Sequence, residues 1–212
     1  MRTWALLVQV LVLLFICSCD KPSRDEEHPL VLLVQPLGDV SSEHVDSIVS
    51  VLSTEYRAHV HKAKRLPLPG HAYTTVRSPR YRADTLIAWL RWLKPDTIDH
   101  MIGLTDQDIS HTKYAADGTI KEPRSKYRDF GIFGLGYVKG PSCVISTFRL
   151  GNESEQRFFD RLCKITVHEV GHNRGLPHCT DPACVMRDAV ERIASIDTAE
   201  RSFCVTCRTR FE

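Results

Sequence analysis

Apolar positions along this chain follow two different periods, and together they predict an alternating fold. Residues 30–35 (Leu-Val-Leu-Leu-Val-Gln) form a continuous apolar run, the mark of a strand buried on both faces of a parallel sheet. Pro36-Leu-Gly-Asp39 turns the chain, and Ser41 or Ser42 can cap a helix that reaches Tyr56. Within it Val45, Ile48, Val49, Leu52 and Tyr56 recur at helical spacing. Residues 58–63 read as a weaker strand, broken by Leu66-Pro-Leu-Pro-Gly70. A second helix over residues 83–93 sets Leu86, Ile87, Leu90 and Leu93 on one face, with Trp89 and Trp92 partly off it. Pro95 ends it, and residues 97–104 give a third strand. The order β-α-β-α-β implies a mixed, mostly parallel α/β sheet with right-handed crossovers.

The second half is patterned differently. Residues 109–130 are polar and charged, with a turn at Asp117-Gly118, and read as a solvated loop, with a substrate-contacting loop as the alternative. Residues 131–138 read as a strand interrupted by glycines 131, 134 and 136, whose spacing is not that of a dinucleotide-binding loop. Residues 142–148 form another apolar strand. Asn152 with Glu155 three residues on has the form of a capping box. The helix it opens carries Phe158, Leu162 and Ile165 on one stripe, so its rear packs on the sheet. A last helix, capped by Asp197 or Thr198, is expected to carry the final cysteine pair.

The N-terminus stands apart from this domain. Arg2 precedes an apolar run from Trp4 to Ile16, short of the roughly 20 residues that span a bilayer, so it reads as a secretory signal. Ile16-Cys17-Ser18-Cys19 resembles a bacterial lipobox, which would cleave after residue 18 and lipidate Cys19; an ordinary cleaved signal or an uncleaved anchor is the alternative. Residues 19–29 then form a polar tether and residues 30–212 the folded domain, held by its lipid at the bacterial cell envelope. A net charge of +2 over 212 residues asks for no nucleic-acid partner. A single domain of this size is expected to act as a monomer.

The chemistry is concentrated between His168 and Cys207. His168-Glu169-Val-Gly-His172 puts two imidazoles on one helix face, about 5.4 Å apart along the axis. Glu169 is rotated by about 100° from His168, too far round to be a ligand but close enough to meet a water on the same ion. Gly175 can end the helix in a left-handed turn and return His178 to that ion. Three His ligands leave one position open, as in catalytic zinc sites. Cys179, Cys184, Cys204 and Cys207 have the spacing of a closed four-cysteine zinc site, with two disulfides as the competing arrangement outside the cytoplasm. Cys143 and Cys163 are expected to be buried free thiols. The remaining histidines read as surface or structural residues, and the basic runs 62–65 and 77–82 as solvated faces.

His168-Glu-x-x-His172-x-x-Gly175-x-x-His178 with a downstream Met is the metzincin pattern. With Cys179, Cys184, Met186 and the Cys204/Cys207 pair it resembles the archaemetzincin family, most closely over residues 155–207. Gln35-Pro-Leu-Gly38, Ala72-Tyr73 with Arg77, and Gly103-Leu-Thr-Asp-Gln-Asp108 are similar to archaemetzincin segments too. The resemblance implies a metzincin-like fold with an antiparallel edge strand over the active site. It also implies a catalytic zinc on the three histidines and a structural zinc on the four cysteines. Met186 would then lie beneath the imidazoles without binding the ion. Glu169 would act as general base in hydrolysis of a peptide or protein substrate. Arg174 departs from the family, which usually has an apolar residue there, and bears on specificity. The competing function is a non-catalytic, zinc-stabilised envelope lipoprotein that binds peptides; an intact Glu169 weighs against it.

Overall fold

The computed structural model describes residues 29–151, 153–188 and 192–210. The signal, the Cys19 lipobox, most of the tether and Asn152 lie outside those residues. The apolar run at residue 30 becomes β1 (Val31–Leu37), and Ser41 caps α1 (Ser42–Tyr56) by accepting from the Glu43 N–H at 3.2 Å. The chain continues through β2 (His59–Lys62), β3 (Tyr73–Thr74), β4 (Arg80–Arg82), α2 (Ala83–Leu93) and β5 (His100–Thr105). Then come β6 (Ile109–His111), α3 (Arg124–Tyr127), β7 (Phe130–Ile132), β8 (Gly134–Gly136) and β9 (Ser142–Ser146). The long helix α4 (Glu155–Asn173) and the short α5 (Ile193–Thr198) and α6 (Val205–Arg208) complete the described fold.

The main sheet has the order β2-β1-β5-β9-β8. Its first four strands are parallel and β8 pairs antiparallel to β9 at the edge. Alternation along the strands sorts the core into two layers. Leu32, Val34, Ile102, Leu104 and Ile145 face α1 and α4, together with Ile48, Leu52, Leu162 and Val167. Met101 and Val144 face the opposite way, onto Leu86, Ile87 and Leu90 of α2. Gly103 lets α2 come this close, because a Cβ there would lie 2.6 Å from the Leu90 side chain. Helices therefore cover both faces, as a parallel sheet requires.

Four expectations need correction. Residues 109–130 are not a simple loop: with β3, β4 and β7 they build a second sheet of order β3-β4-β6-β7. The basic run 77–82 is not a solvated face, since Arg80 is buried between Asp108 at 3.3 Å and Asp129 at 3.8 Å. Arg149 closes the same network with a two-pronged bond to Asp108 at 2.6 and 2.7 Å. Buried ion pairs carry no hydrophobic period, so a polar stretch that hides its charges in pairs reads as exposed. Finally, Ser154 caps α4, accepting from the Arg157 N–H at 3.2 Å, and Asp197 sits inside α5 and caps nothing.

Asp197 has another use. Arg161, buried on α4, holds it with two bonds of 2.7 and 2.8 Å and also bonds Glu153 at 2.7 Å and the Leu150 carbonyl. One guanidinium thus ties α5 and the loop before α4 to the central helix. Tyr56 fixes the same helix from α1, its hydroxyl donating to the Val167 carbonyl at 2.6 Å.

Candidate metal centres and the cleft they face

The last turns of α4 carry His168, Glu169 and His172 into a cleft of about 1110 Å³. The His168 Nδ1 lies 2.8 Å from the Val185 carbonyl, and the His172 Nδ1 lies 2.8 Å from the Leu176 carbonyl. A carbonyl only accepts, so each Nδ1 must carry the ring proton. Both Nε2 atoms are then bare lone pairs, yet they face each other at 3.0 Å. Two lone pairs at that distance repel unless a proton or a metal ion lies between them. Burial also disfavours protonation: it pulls His168 down to about 3 and lowers His172 as well.

The third imidazole arrives by a tight turn. Gly175 has φ +95°, where a side chain would be strained, and its N–H donates to the His172 carbonyl at 2.9 Å. The Leu176 N–H then donates to the Gly171 carbonyl at 2.9 Å, and His178 swings back to its partners. Ring centroids of the three histidines lie 4.6 to 5.3 Å apart, and their ligating nitrogens all fall within 4.8 Å of one another. Met186 is fully buried, its sulfur packed where a Cβ on Gly171 would stand. Only glycine fits between the two histidines at that position.

The four cysteines converge equally well. Their sulfurs lie within 4.8 Å of one another, with Cys179 and Cys204 at 3.8 Å and no disulfide among them. A tetrahedron with Zn–S bonds of about 2.3 Å has edges of about 3.8 Å, whereas a disulfide needs sulfurs about 2.05 Å apart. The Asp181 N–H points at the Cys179 sulfur (3.5 Å) and the Cys204 N–H at the Cys184 sulfur (3.4 Å). Burial pushes the Cys184 and Cys207 thiols up, so as bare thiols they would hold their protons. A bound cation would reverse that preference. Both clusters fit zinc: imidazole nitrogens with room for water at one, a closed set of sulfurs at the other. Cys143 and Cys163 are buried and take no part.

The segment 184–186 belongs to both clusters. Cys184 turns its sulfur to the cysteine set, Val185 gives its carbonyl to His168, and Met186 packs on Gly171, in the helix turn between His168 and His172. The Met186 carbonyl also accepts from the Cys179 N–H at 2.8 Å, fixing the residue next to His178.

Glu169 is pressed against β8. A Cβ on Gly134 would lie 2.7 Å from the Glu169 Cγ and 2.8 Å from its Oε1, and one on Gly136 would lie 2.5 Å from its backbone oxygen. The two glycines that interrupt this strand are therefore the space in which Glu169 sits, a role their spacing alone does not reveal. Burial raises the Glu169 carboxyl to about 8, opposed by the Gly136 N–H and the Lys113 ammonium. On its far side β8 has no strand neighbour among the described residues and borders the cleft.

A model of peptidase family M54 matches residues 37–212 of the chain. Archaemetzincin from Methanopyrus kandleri is 34% identical over 155 residues, covering 73% of this chain and 78% of that protein. The crystal structure of the Methanopyrus kandleri archaemetzincin superposes with a TM-score of 0.69 at 29% identity, covering 86% of this chain and 93% of its own. That of the Archaeoglobus fulgidus archaemetzincin, complexed with malonate, gives 0.67 at 28% identity, with 85% and 99% covered.

Proposed function

Because the chain belongs to peptidase family M54, the archaemetzincins, and is thus a zinc metallopeptidase with two zinc sites, we propose that it hydrolyses extended peptides laid along β8. Zinc held by His168, His172 and His178 supplies a Lewis acid that activates water near neutral pH and polarises a carbonyl. The protein supplies the rest. Glu169, fixed by Gly134, Gly136 and its place one residue after His168, takes a proton from the attacking water and passes it to the leaving amine. A carboxyl raised by burial towards neutrality can both accept and release that proton. The open side of β8 pairs with substrate backbone and sets the scissile bond over the histidines. Cys179, Cys184, Cys204 and Cys207 hold the structural zinc, and through residues 184–186 they keep the histidine set in shape.

The observation that carries this reading is the pair of bare Nε2 atoms 3.0 Å apart beside a buried carboxyl. A peptide-library digest with zinc-loaded protein tests it, with Glu169→Gln as control. Hydrolysis should fall by about 10²–10⁴-fold in the variant while zinc content is unchanged. Retained turnover in Glu169→Gln would overturn the role given to that carboxyl. Lipid anchoring at Cys19, with residues 19–29 as tether and residues 30–212 as the working domain, is proposed on the lipobox alone. Labelling with a clickable fatty acid should mark the wild type and miss Cys19→Ser.

A further inference from the structure

Each imidazole of the histidine set has an acceptor behind it. His168 and His172 turn Nδ1 to the backbone carbonyls of Val185 and Leu176, both at 2.8 Å. His178 turns its Nδ1 to a charged group instead: the Asp188 carboxylate lies 3.8 Å away. Asp188 does not belong to the set whose donor atoms all lie within 4.8 Å of one another, so it stands behind the third ring and not on the ion. It borders the same cleft, two residues past Met186, on the stretch of chain that also supplies the Val185 carbonyl.

His178 is the ligand most in need of such support. His168 and His172 ride on α4, which Tyr56 and Arg161 pin, whereas His178 follows the turn at Gly175 and its side chain is 50% exposed. An ion pair between groups as exposed as His178 and Asp188 contributes little by itself. A dication on the far side of the ring changes that. Coordination draws electron density from the imidazole and makes its Nδ1–H a stronger donor, while a carboxylate there fixes the tautomer and makes Nε2 a better ligand. The 3.8 Å separation exceeds a direct hydrogen bond, and rotation of either exposed side chain closes it. The Asp188 charge also reaches His168 and His172, where it favours a proton against the burial that opposes one. The same field favours a divalent cation among the three rings.

We propose that Asp188 is a positioning residue of the histidine site: its carboxylate accepts from the His178 Nδ1–H and holds in place the one ligand that no helix carries. This rests on zinc binding by the three histidines and is independent of what the protein cuts.

Metal binding tests it apart from turnover. Metal-free wild type, Asp188→Asn and Asp188→Glu are titrated with cobalt(II), seen at the thiolate set through sulfur-to-cobalt charge transfer and at the histidines through weaker d–d bands. Zinc is then competed against a chelator of known affinity. The histidine-site dissociation constant should rise about 10-fold in Asp188→Asn, the low end for a partner of this kind because the pair is half exposed. It should recover in Asp188→Glu, and the thiolate site should keep its affinity in all three proteins. In the proton spectrum of the zinc-loaded protein, the His178 Nδ1–H signal should shift in Asp188→Asn while those of His168 and His172, bonded to carbonyls, stay where they are. Unchanged histidine-site affinity in Asp188→Asn, a loss that Asp188→Glu shares in full, or an unmoved His178 signal would overturn the proposal and leave the zinc site standing. Wild type whose histidines take no ion would overturn both.

Discussion

Replacing Gly134 by alanine isolates the positioning of Glu169 from every other part of the site. The added Cβ would stand 2.7 Å from the Glu169 Cγ, 2.8 Å from Oε1 and 3.0 Å from Cδ. Carbon atoms settle at about 3.5 Å or more, so the carboxyl arm has to retreat by about 0.8 Å. The arm is buried and its helix is pinned by Arg161 and Tyr56, so the side chain gives way before the backbone does. A misplacement of about 1 Å in a reacting group costs about 100-fold in rate, equivalent to about 2.7 kcal/mol of transition-state stabilisation. Overpacking itself should cost about 1–3 kcal/mol of stability. The assay is kcat/KM on a peptide found in the library digest, alongside zinc content and urea unfolding. Gly70→Ala serves as control, because a Cβ there meets nothing within 4 Å. The expected result is a hundredfold loss in Gly134→Ala with zinc retained, and no change in Gly70→Ala. Wild-type kcat/KM in a fully zinc-loaded Gly134→Ala protein would refute the idea that β8 sets the position of Glu169.

Arg161→Met should destabilise the fold by about 3 kcal/mol, the low end for breaking a buried pair, because Asp197 and Glu153 both reach water. The hydrogen bond from Arg161 holds Asp197 below its ordinary carboxyl range. A depressed folded pKa means stabilisation that is complete above about pH 3.9 and is lost as pH falls through the folded value. Urea unfolding should therefore show wild type and variant converging in strong acid; a gap that stays constant would contradict the pairing. Thiol titration in urea with a chelator, in a Cys17→Ser, Cys19→Ser background, should count all six remaining cysteines. A count of two, from Cys143 and Cys163 alone, would mean disulfides instead.

The mostly parallel sheet, the three long helices and the two metal-binding clusters were legible because each rests on a local period or spacing. Leu86, Ile87 and Leu90 mark the buried face of α2, and His168 and His172 share a face by helix geometry alone. What was not legible depends on partners far apart in sequence. Arg80 looks solvated until Asp108 and Asp129 close around it, and β6 and β7 are three residues long, too short to show alternation. Asp197 looked like a cap because cap preference is local, whereas its partner Arg161 lies 36 residues away. The glycines of β8 announced an irregular strand, but the carboxyl that occupies their missing side chains comes from another element.

Residues 184–186 make the two ion sites a linked system. One three-residue segment gives a sulfur to the first and, to the second, a carbonyl brace and a thioether packed on the helix turn between two of its histidines, so a shift at one site is passed to the other through a single stretch of backbone. Linkage is reciprocal: if filling the thiolate set raises the ion affinity of the histidines by some factor, filling the histidines raises that of the thiolates by the same factor. Where that factor exceeds one, the singly loaded form is suppressed relative to the metal-free and doubly loaded ones, and loss of the thiolate ion weakens the hold of the histidines on theirs.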